Sequence, residues 1–170
     1  MLLLQSASVM AQRADYGGSN FTSHAVRIQS KAESLYLQGH WKRAHFIFEH
    51  ELAPIGDKYA QYMVGYMYLN GQGVPRDPVV ASAWYRLAAE RDVPEFAAVR
   101  DQLLESLSPD ELAQSDKRFV ELRKEYSDLV VTLDIVRKER RLRRAETTGS
   151  RLGGGASPVT VIMPRNGMAM

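Results

Sequence analysis

Two stretches of this chain repeat one another. Tyr36-x-x-Gly39 recurs as Tyr68-x-x-Gly71, 32 residues on, and Ala44-x-x-x-Phe48 recurs as Ala81-x-x-x-Tyr85, 37 residues on. The five-residue difference falls between the two helices of each pair, where a loop can lengthen without disturbing helix faces. Such a period constrains the fold more than any composition does. Each unit is a helical hairpin that cannot bury its apolar face alone, so neighbouring units must stack.

Local signals place the helices. The first carries Ala32, Leu35 and Tyr36 and stops at Gly39, a residue suited to a helix C-terminus. The second runs from about Trp41 to Leu52, with Ala44, Ile47 and Phe48 on one face and Pro54 beyond its end. The third runs from about Asp57 to Leu69 and stops at Asn70-Gly71. The fourth begins at Asp77 as N-cap with Pro78 in the first helical position, and carries Ala81, Trp84, Tyr85, Ala88 and Ala89. Small residues (Ala32, Ala44, Ala60, Gly65, Ala81, Ala88) let paired helices approach, and the aromatics Tyr36, Trp41, Phe48, Tyr62, Tyr66, Trp84 and Tyr85 fill the space between layers. The result is an all-α chain, a short α-solenoid that offers an extended curved surface.

The second unit resembles a Sel1-like repeat, a relative of the tetratricopeptide repeat. The matching run is Ala60-Gln61-Tyr62-x-x-Gly65-x-x-Tyr68-x-x-Gly71-x-Gly73-Val74-x-x-Asp77, then Ala81-x-x-Trp84-Tyr85-x-x-Ala88-Ala89-Glu90. The first unit, Ala32 to Phe48, is more degenerate and looks closer to a tetratricopeptide repeat. The resemblance implies an α-solenoid that binds proteins or peptides and assembles complexes, in bacteria often at the cell envelope. The family usually has Gly after Ala-Ala-Glu, where this chain has Arg91 and Asp92. The next helix, Pro94 to Leu107, lacks the family's Gln-Tyr and glycines and reads as a cap that ends the array.

Ser108-Pro109-Asp110-Glu111 is a strong helix start, with Ser at the N-cap, Pro at N1 and Glu completing a capping box. No breaker is evident before Thr147-Thr148-Gly149, so one helix of about 36 residues, ~54 Å long, is predicted. Phe119, Leu122, Tyr126, Leu129, Leu133 and Val136 follow a 3-4 spacing, a heptad seam. Its first part can pack on the last repeat helix. Its distal part, Tyr126 to Val136, is left with an apolar stripe that either another helix covers, from a second copy or a different protein, or that folds back onto the solenoid.

A basic run follows. Between Arg137 and Arg151 lie seven positive and two negative residues, a local +5. The plainest reading is a solvated helix end whose cations suit the helix dipole. Beyond it come an acidic protein partner, then anionic lipid, with nucleic acid last because no aromatics interleave the arginines.

The ends differ from the body. Met1 to Ala11 has an apolar start and small residues at Val9 and Ala11, like the last part of a secretory signal without its basic region. This suggests a periplasmic or exported protein, with a cytoplasmic one as the alternative. Asp15 to Thr22 is a polar linker. Thr147 to Met170 contains Gly153-Gly154-Gly155 and two prolines and reads as a flexible tail. Within it Val159 to Met163 is β-prone, and a strand donated to a partner's sheet is the sharper alternative. The organisation predicted is therefore 1–22 flexible N-terminus, 23–107 helical repeats, 108–146 long helix with a basic end, and 147–170 tail.

Several chemistries find no support. The 22 Lys+Arg nearly balance the 20 Asp+Glu, so the net charge of +2 gives no global pull on nucleic acid or anionic lipid. Cysteine is absent, which removes disulfides, Cys-based zinc sites and thiol nucleophiles. No run reaches the ~18–20 apolar residues of a membrane span. His24, His40, His45 and His50 form no metal motif; His45 and Glu49 share a helix face at i,i+4, read as a polar face. Gly71-x-Gly73 follows no strand, so it is a turn and not a dinucleotide loop. There is no GxSxG and no P-loop.

The expectation is a non-catalytic adaptor or structural subunit of a bacterial, envelope-associated assembly, with no cofactor. The alternative is a regulatory or assembly factor that uses its basic helix on anionic lipid or nucleic acid. Partners are other proteins, with self-association through the last helix a further option. Candidate contact residues are Tyr59, Tyr62, Tyr66 and Asn70 on the solenoid, Leu129, Leu133 and Val136 on the seam, and Arg140, Arg141, Arg143 and Arg144 beyond.

Overall fold

The computed structural model describes residues 23–152. The chain divides into two compact units, Met1–Asp134 and Ile135–Met170. In order come α1 (Ser23–Leu37), α2 (Trp41–Ile47), a π-helical turn (Phe48–Leu52), a 3-10 turn (Ala53–Ile55), α3 (Lys58–Asn70), α4 (Pro78–Ala88), a 3-10 turn (Ala89–Arg91), α5 (Pro94–Ser106), α6 (Pro109–Tyr126) and α7 (Asp128–Leu152). No strand occurs among the described residues.

The first unit is a short solenoid of helix pairs. α1 packs on α2, α3 on α4, and both α5 and α6 on α4. The helix starts follow from local chemistry. Asp57 caps α3 by accepting a hydrogen bond from the Ala60 N–H at 3.1 Å, and Asp77 caps α4 by accepting from the Val80 N–H at 3.0 Å. The capping box at Ser108 is formed, with Ser108 Oγ accepting from the Glu111 N–H and the Glu111 carboxylate accepting from the Ser108 N–H. α3 ends where Gly71 turns left-handed at φ 67°.

The core centres on α3 and α4. Trp84, Tyr59, Tyr85, Phe48, Phe96, Leu52, Met67 and Leu87 are its largest apolar members. Gly65 permits the close approach of the pair: a Cβ there would lie 2.9 Å from Tyr85 Cδ1 and 3.1 Å from the Ala81 carbonyl oxygen. α6 lies close to α4 because two small residues face each other, Ser82 and Ser115, with hydroxyls 2.6 Å apart in a buried site. Trp41 does not fill an interlayer space; it is among the exposed large apolar residues of the first hairpin.

Three features differ from the sequence reading. The second helix does not stay α-helical to Leu52: its last turn widens into the π form just before Pro54, which has no N–H for a continued ladder. His45 is not on a polar face. It is buried, its ring meets Tyr68 edge-on at 5.2 Å, its Nδ1 lies 3.4 Å from Glu49 Oε2, and its Nε2 has no hydrogen-bond partner among the described residues. Burial first, and His50 second, push its imidazole down to about 4.

The third difference is the long helix, which breaks at Ser127 (φ −68°, ψ 152°) into α6 and α7. Tyr126 is drawn into the core, its ring 5.0 Å from that of Trp84. Its carbonyl accepts from Gln61 Nε2 at 3.1 Å. Asp128 is pulled the other way into ion pairs with Arg91 and Lys58. Ser127 then restarts the helix, accepting from the Val131 N–H at its carbonyl and from the Val130 N–H at its hydroxyl. Leu122 and Tyr126 of the seam are buried, whereas Leu129 (68% exposed) and Leu133 are exposed.

Candidate functional site

α3, α4, α5 and the start of α6 enclose a groove of about 550 Å³ in the first unit, a size that suits a small molecule or a short stretch of peptide. One wall is aliphatic, built from Leu69, Val99, Leu103 and Leu107. The other is aromatic and carries hydroxyls: Tyr62, Tyr66 and Tyr85. Arg76, Asn70 and Gln102, all exposed, also line it.

Stacking holds the aromatic wall rigid. Tyr62 lies against Phe96 at 5.1 Å and 20°, against Tyr85 at 5.3 Å, and against Tyr66 at 6.4 Å. Tyr62 and Tyr85 are 3% and 1% exposed. Tyr36 joins the cluster from α1, donating its hydroxyl proton to Gln72 Oε1 at 2.9 Å. Burial, and then the neighbouring tyrosines, raise these phenols: Tyr36 and Tyr62 to about 12, Tyr85 well above its ordinary value. All three therefore keep their protons at neutral pH.

At the rim, Asn70 donates its amide N–H to the Tyr66 carbonyl at 2.8 Å, and Arg76 donates its Nε–H to the Leu69 carbonyl at 3.0 Å. The Glu111 carboxylate accepts from both the backbone N–H and the hydroxyl of Ser108, and these bonds hold its carboxyl below the usual carboxylate range.

The solenoid residues picked out from sequence separate here. Tyr62, Tyr66 and Asn70 line the groove. Tyr59 does not: it is 1% exposed and packs edge-on against Phe48. Leu129 and Leu133 are exposed on the first-unit part of α7. In the second unit Val136 is exposed, and Arg137, Arg140, Arg141 and Arg144 bound a cleft of about 290 Å³. Arg143 pairs with Glu139 at 3.7 Å. Sequence reasoning did not find Arg76 or the aliphatic wall. The one available signal was that Arg76 follows Gly71-x-Gly73-Val74-Pro75, a turn that carries it back over the end of α3.

Among the described residues, no helix is long and apolar enough to cross a membrane, and no group of three or more His, Asp or Glu is placed to hold a metal ion.

Stacked helical hairpins with a side groove define a repeat protein of the α-solenoid class. The family model of the Sel1 repeat matches residues 58–93, which span α3 and α4, about a fifth of the chain. The chain thus carries a Sel1-like repeat over residues 58–93. No curated protein matches the chain. Sel1 repeats generally mediate contacts between proteins and are typically non-catalytic.

Proposed function

We propose that this chain is a non-catalytic adaptor or structural subunit of a bacterial, envelope-associated assembly, and that its groove receives a segment of another protein. The observation that supports this most is the groove: a rigid aromatic wall facing an aliphatic one, open at the surface and formed by the matched repeat and the two helices after it. The test is co-purification from the native organism with the full chain, set against Gln102→Trp, which fills the groove from an exposed position. Envelope proteins retained by the natural chain and lost with Gln102→Trp are the expected result. An identical set with both chains rejects the reading.

A second reading rests on the four arginines that bound the cleft of the second unit. They suit an anionic surface, either lipid headgroups or nucleic acid. Its mark is steep loss of binding with added salt, abolished when Arg140, Arg141, Arg143 and Arg144 are neutralised. Self-association through Leu129, Leu133 and Val136 is tested by light scattering. A monomeric mass for the full chain removes it.

A further inference from the structure

The groove contains more hydrogen-bond donors than its own structure uses. Tyr62 and Tyr85 both line it and both are more than nine-tenths buried. Tyr36 donates to Gln72, whereas the hydroxyls of Tyr62 and Tyr85 make no hydrogen bond among the described residues and are not among the fully buried unpaired groups, so both remain accessible from the groove. Two uncommitted phenolic donors in one groove offer a place for an acceptor.

The rim says what kind of acceptor. Arg76 spends its Nε–H on the Leu69 carbonyl, which fixes the guanidinium at the groove and leaves its two terminal amino groups uncommitted among the described residues. The lining carboxylate, Glu111, forms no ion pair with Arg76 among the described residues; its Oε2 accepts from the Ser108 N–H and hydroxyl. Asn70 has also used its amide N–H, on Tyr66. Two phenolic donors at the floor and a guanidinium at the mouth complement a negatively charged oxygen pair. The floor lies among buried rings while the charge sits at the exposed rim, so the acceptor must reach inward on an apolar stem. The wall of Leu69, Val99, Leu103 and Leu107 is where such a stem and its aliphatic neighbours would pack.

We propose that the groove recognises a glutamate side chain set among aliphatic residues in a segment of a partner protein, with Tyr62 and Tyr85 donating to its carboxylate and Arg76 supplying the opposing charge. This rests on the reading of the groove as a protein-docking site and names the chemistry it selects.

The probe is a capped peptide, acetyl-Ala-Leu-Glu-Leu-Leu-Ala-amide, titrated into the full chain and followed by NMR shifts of the tyrosine rings and backbone. Two companions carry Gln in place of Glu, one with the amide cap and one with a free C-terminal carboxylate. The glutamate peptide is expected to bind at least tenfold more tightly than the capped glutamine peptide, shifting Tyr62 and Tyr85. Tyr62→Phe and Tyr85→Phe, which keep the ring and remove the hydroxyl, each narrow that preference several-fold. The exposed Arg76→Gln narrows it without touching the core, so the test survives if a tyrosine variant folds poorly. Equal binding of the two capped peptides in the groove overturns the proposal while leaving the docking reading intact. Preference for the free C-terminus also overturns it, since a chain end is then the ligand. Failure of every peptide to shift groove resonances at millimolar concentration overturns both.

Discussion

Lys58 Nζ lies 3.1 Å from Oδ1 of Asp128, joining the first residue of α3 to the first residue of α7. The ammonium is fully buried. It also donates to Glu90 Oε2 at 2.9 Å, to the Leu87 carbonyl at 2.9 Å and to Gln61 Oε1 at 3.1 Å. Glu90 in turn accepts from the Asp128 N–H at 3.1 Å, and Arg91 grips both oxygens of Asp128. A buried charge that loses its partners is penalised by several kcal/mol. Lys58→Met leaves two carboxylates facing each other and two acceptors without their donor, so it is expected to lower stability by roughly 3–5 kcal/mol. Asp128→Asn, at a partly exposed site where solvent screens the charge, should cost only about 1 kcal/mol. Urea unfolding at pH 7 ranks the two. Equal losses would show that Lys58 does not anchor the network.

Glycine at position 73 is demanded by contact as well as by backbone angle. Its φ is +80°, and a Cβ there would lie 2.6 Å from the Trp41 carbonyl carbon and 2.7 Å from the Lys42 nitrogen. Both are backbone atoms of the neighbouring hairpin, which cannot swing aside as a side chain can. Gly73→Ala is therefore expected to cost about 3 kcal/mol from overpacking and left-handed strain together. At Gly65 the obstacle is the Tyr85 ring and the Ala81 carbonyl, so Gly65→Ala should cost about 2 kcal/mol and displace the ring that forms the groove floor. Thermal melts measure both losses. Ring shifts of Tyr85 in Gly65→Ala but not in Gly73→Ala separate the two effects.

The parts of this fold that the sequence announces are the ones whose causes are local. Asp57, Asp77 and Ser108 each bond to an N–H three residues ahead, and Gly65 and Gly71 stand at spacings that a hairpin repeat requires. The break at Ser127 has distant causes: Lys58 and Gln61 lie far back in the chain, and Arg91 lies 37 residues before its partner Asp128. Nothing between Ser108 and Thr147 discloses them. Choosing among the tyrosines of α3 fails for another reason. Lys58 through Met67 are all buried, so the helix has no single face whose period separates core from groove. Tyr59 and Tyr62 look alike in sequence, and the aromatics they meet, Phe48 for one and Phe96 and Tyr85 for the other, divide them.

Asp57 links stability to pH. It caps α3 through Oδ1, while Oδ2 is buried without a hydrogen-bond partner among the described residues. Burial raises its carboxyl from 3.8 to about 6, against the opposing pull of the Ala60 and Tyr59 N–H groups and of Arg91. Between these two values the folded chain holds a proton that the unfolded chain has released. Stability from this group thus falls as pH rises through the window, by about 3 kcal/mol in all. His45, held down to about 4, contributes the opposite slope from 6.5 downward and offsets the Asp57 contribution in the natural chain. Asp57→Asn keeps a good N-cap and removes the titration. Its stability relative to the natural chain should climb between about pH 4 and 6 and level off above. A difference that stays constant with pH contradicts the assignment.

Gln61 looks like a polar residue misplaced in the core, and replacing it with Leu tests whether burial or hydrogen bonding governs the site. It is fully buried. Nε2 donates to the Ala53 carbonyl at 3.3 Å and to the Tyr126 carbonyl at 3.1 Å, and Oε1 accepts from Lys58. The side chain thus ties the start of the 3-10 turn at Ala53 to the break between α6 and α7. Gln61→Leu adds apolar area worth about 1–2 kcal/mol, but it strips two buried carbonyls of a donor, at roughly 1–3 kcal/mol each. It also takes an acceptor from a buried ammonium. The hydrogen bonds should win, giving a net loss of about 2 kcal/mol or more in chemical denaturation. Hydrogen exchange would locate the damage in the last turn of α6 and the first turn of α7, with the rest of α3 protected as before. A variant as stable as the natural chain would mean that the Tyr126 carbonyl finds another partner, and that Gln61 is not what keeps α6 from running on into α7.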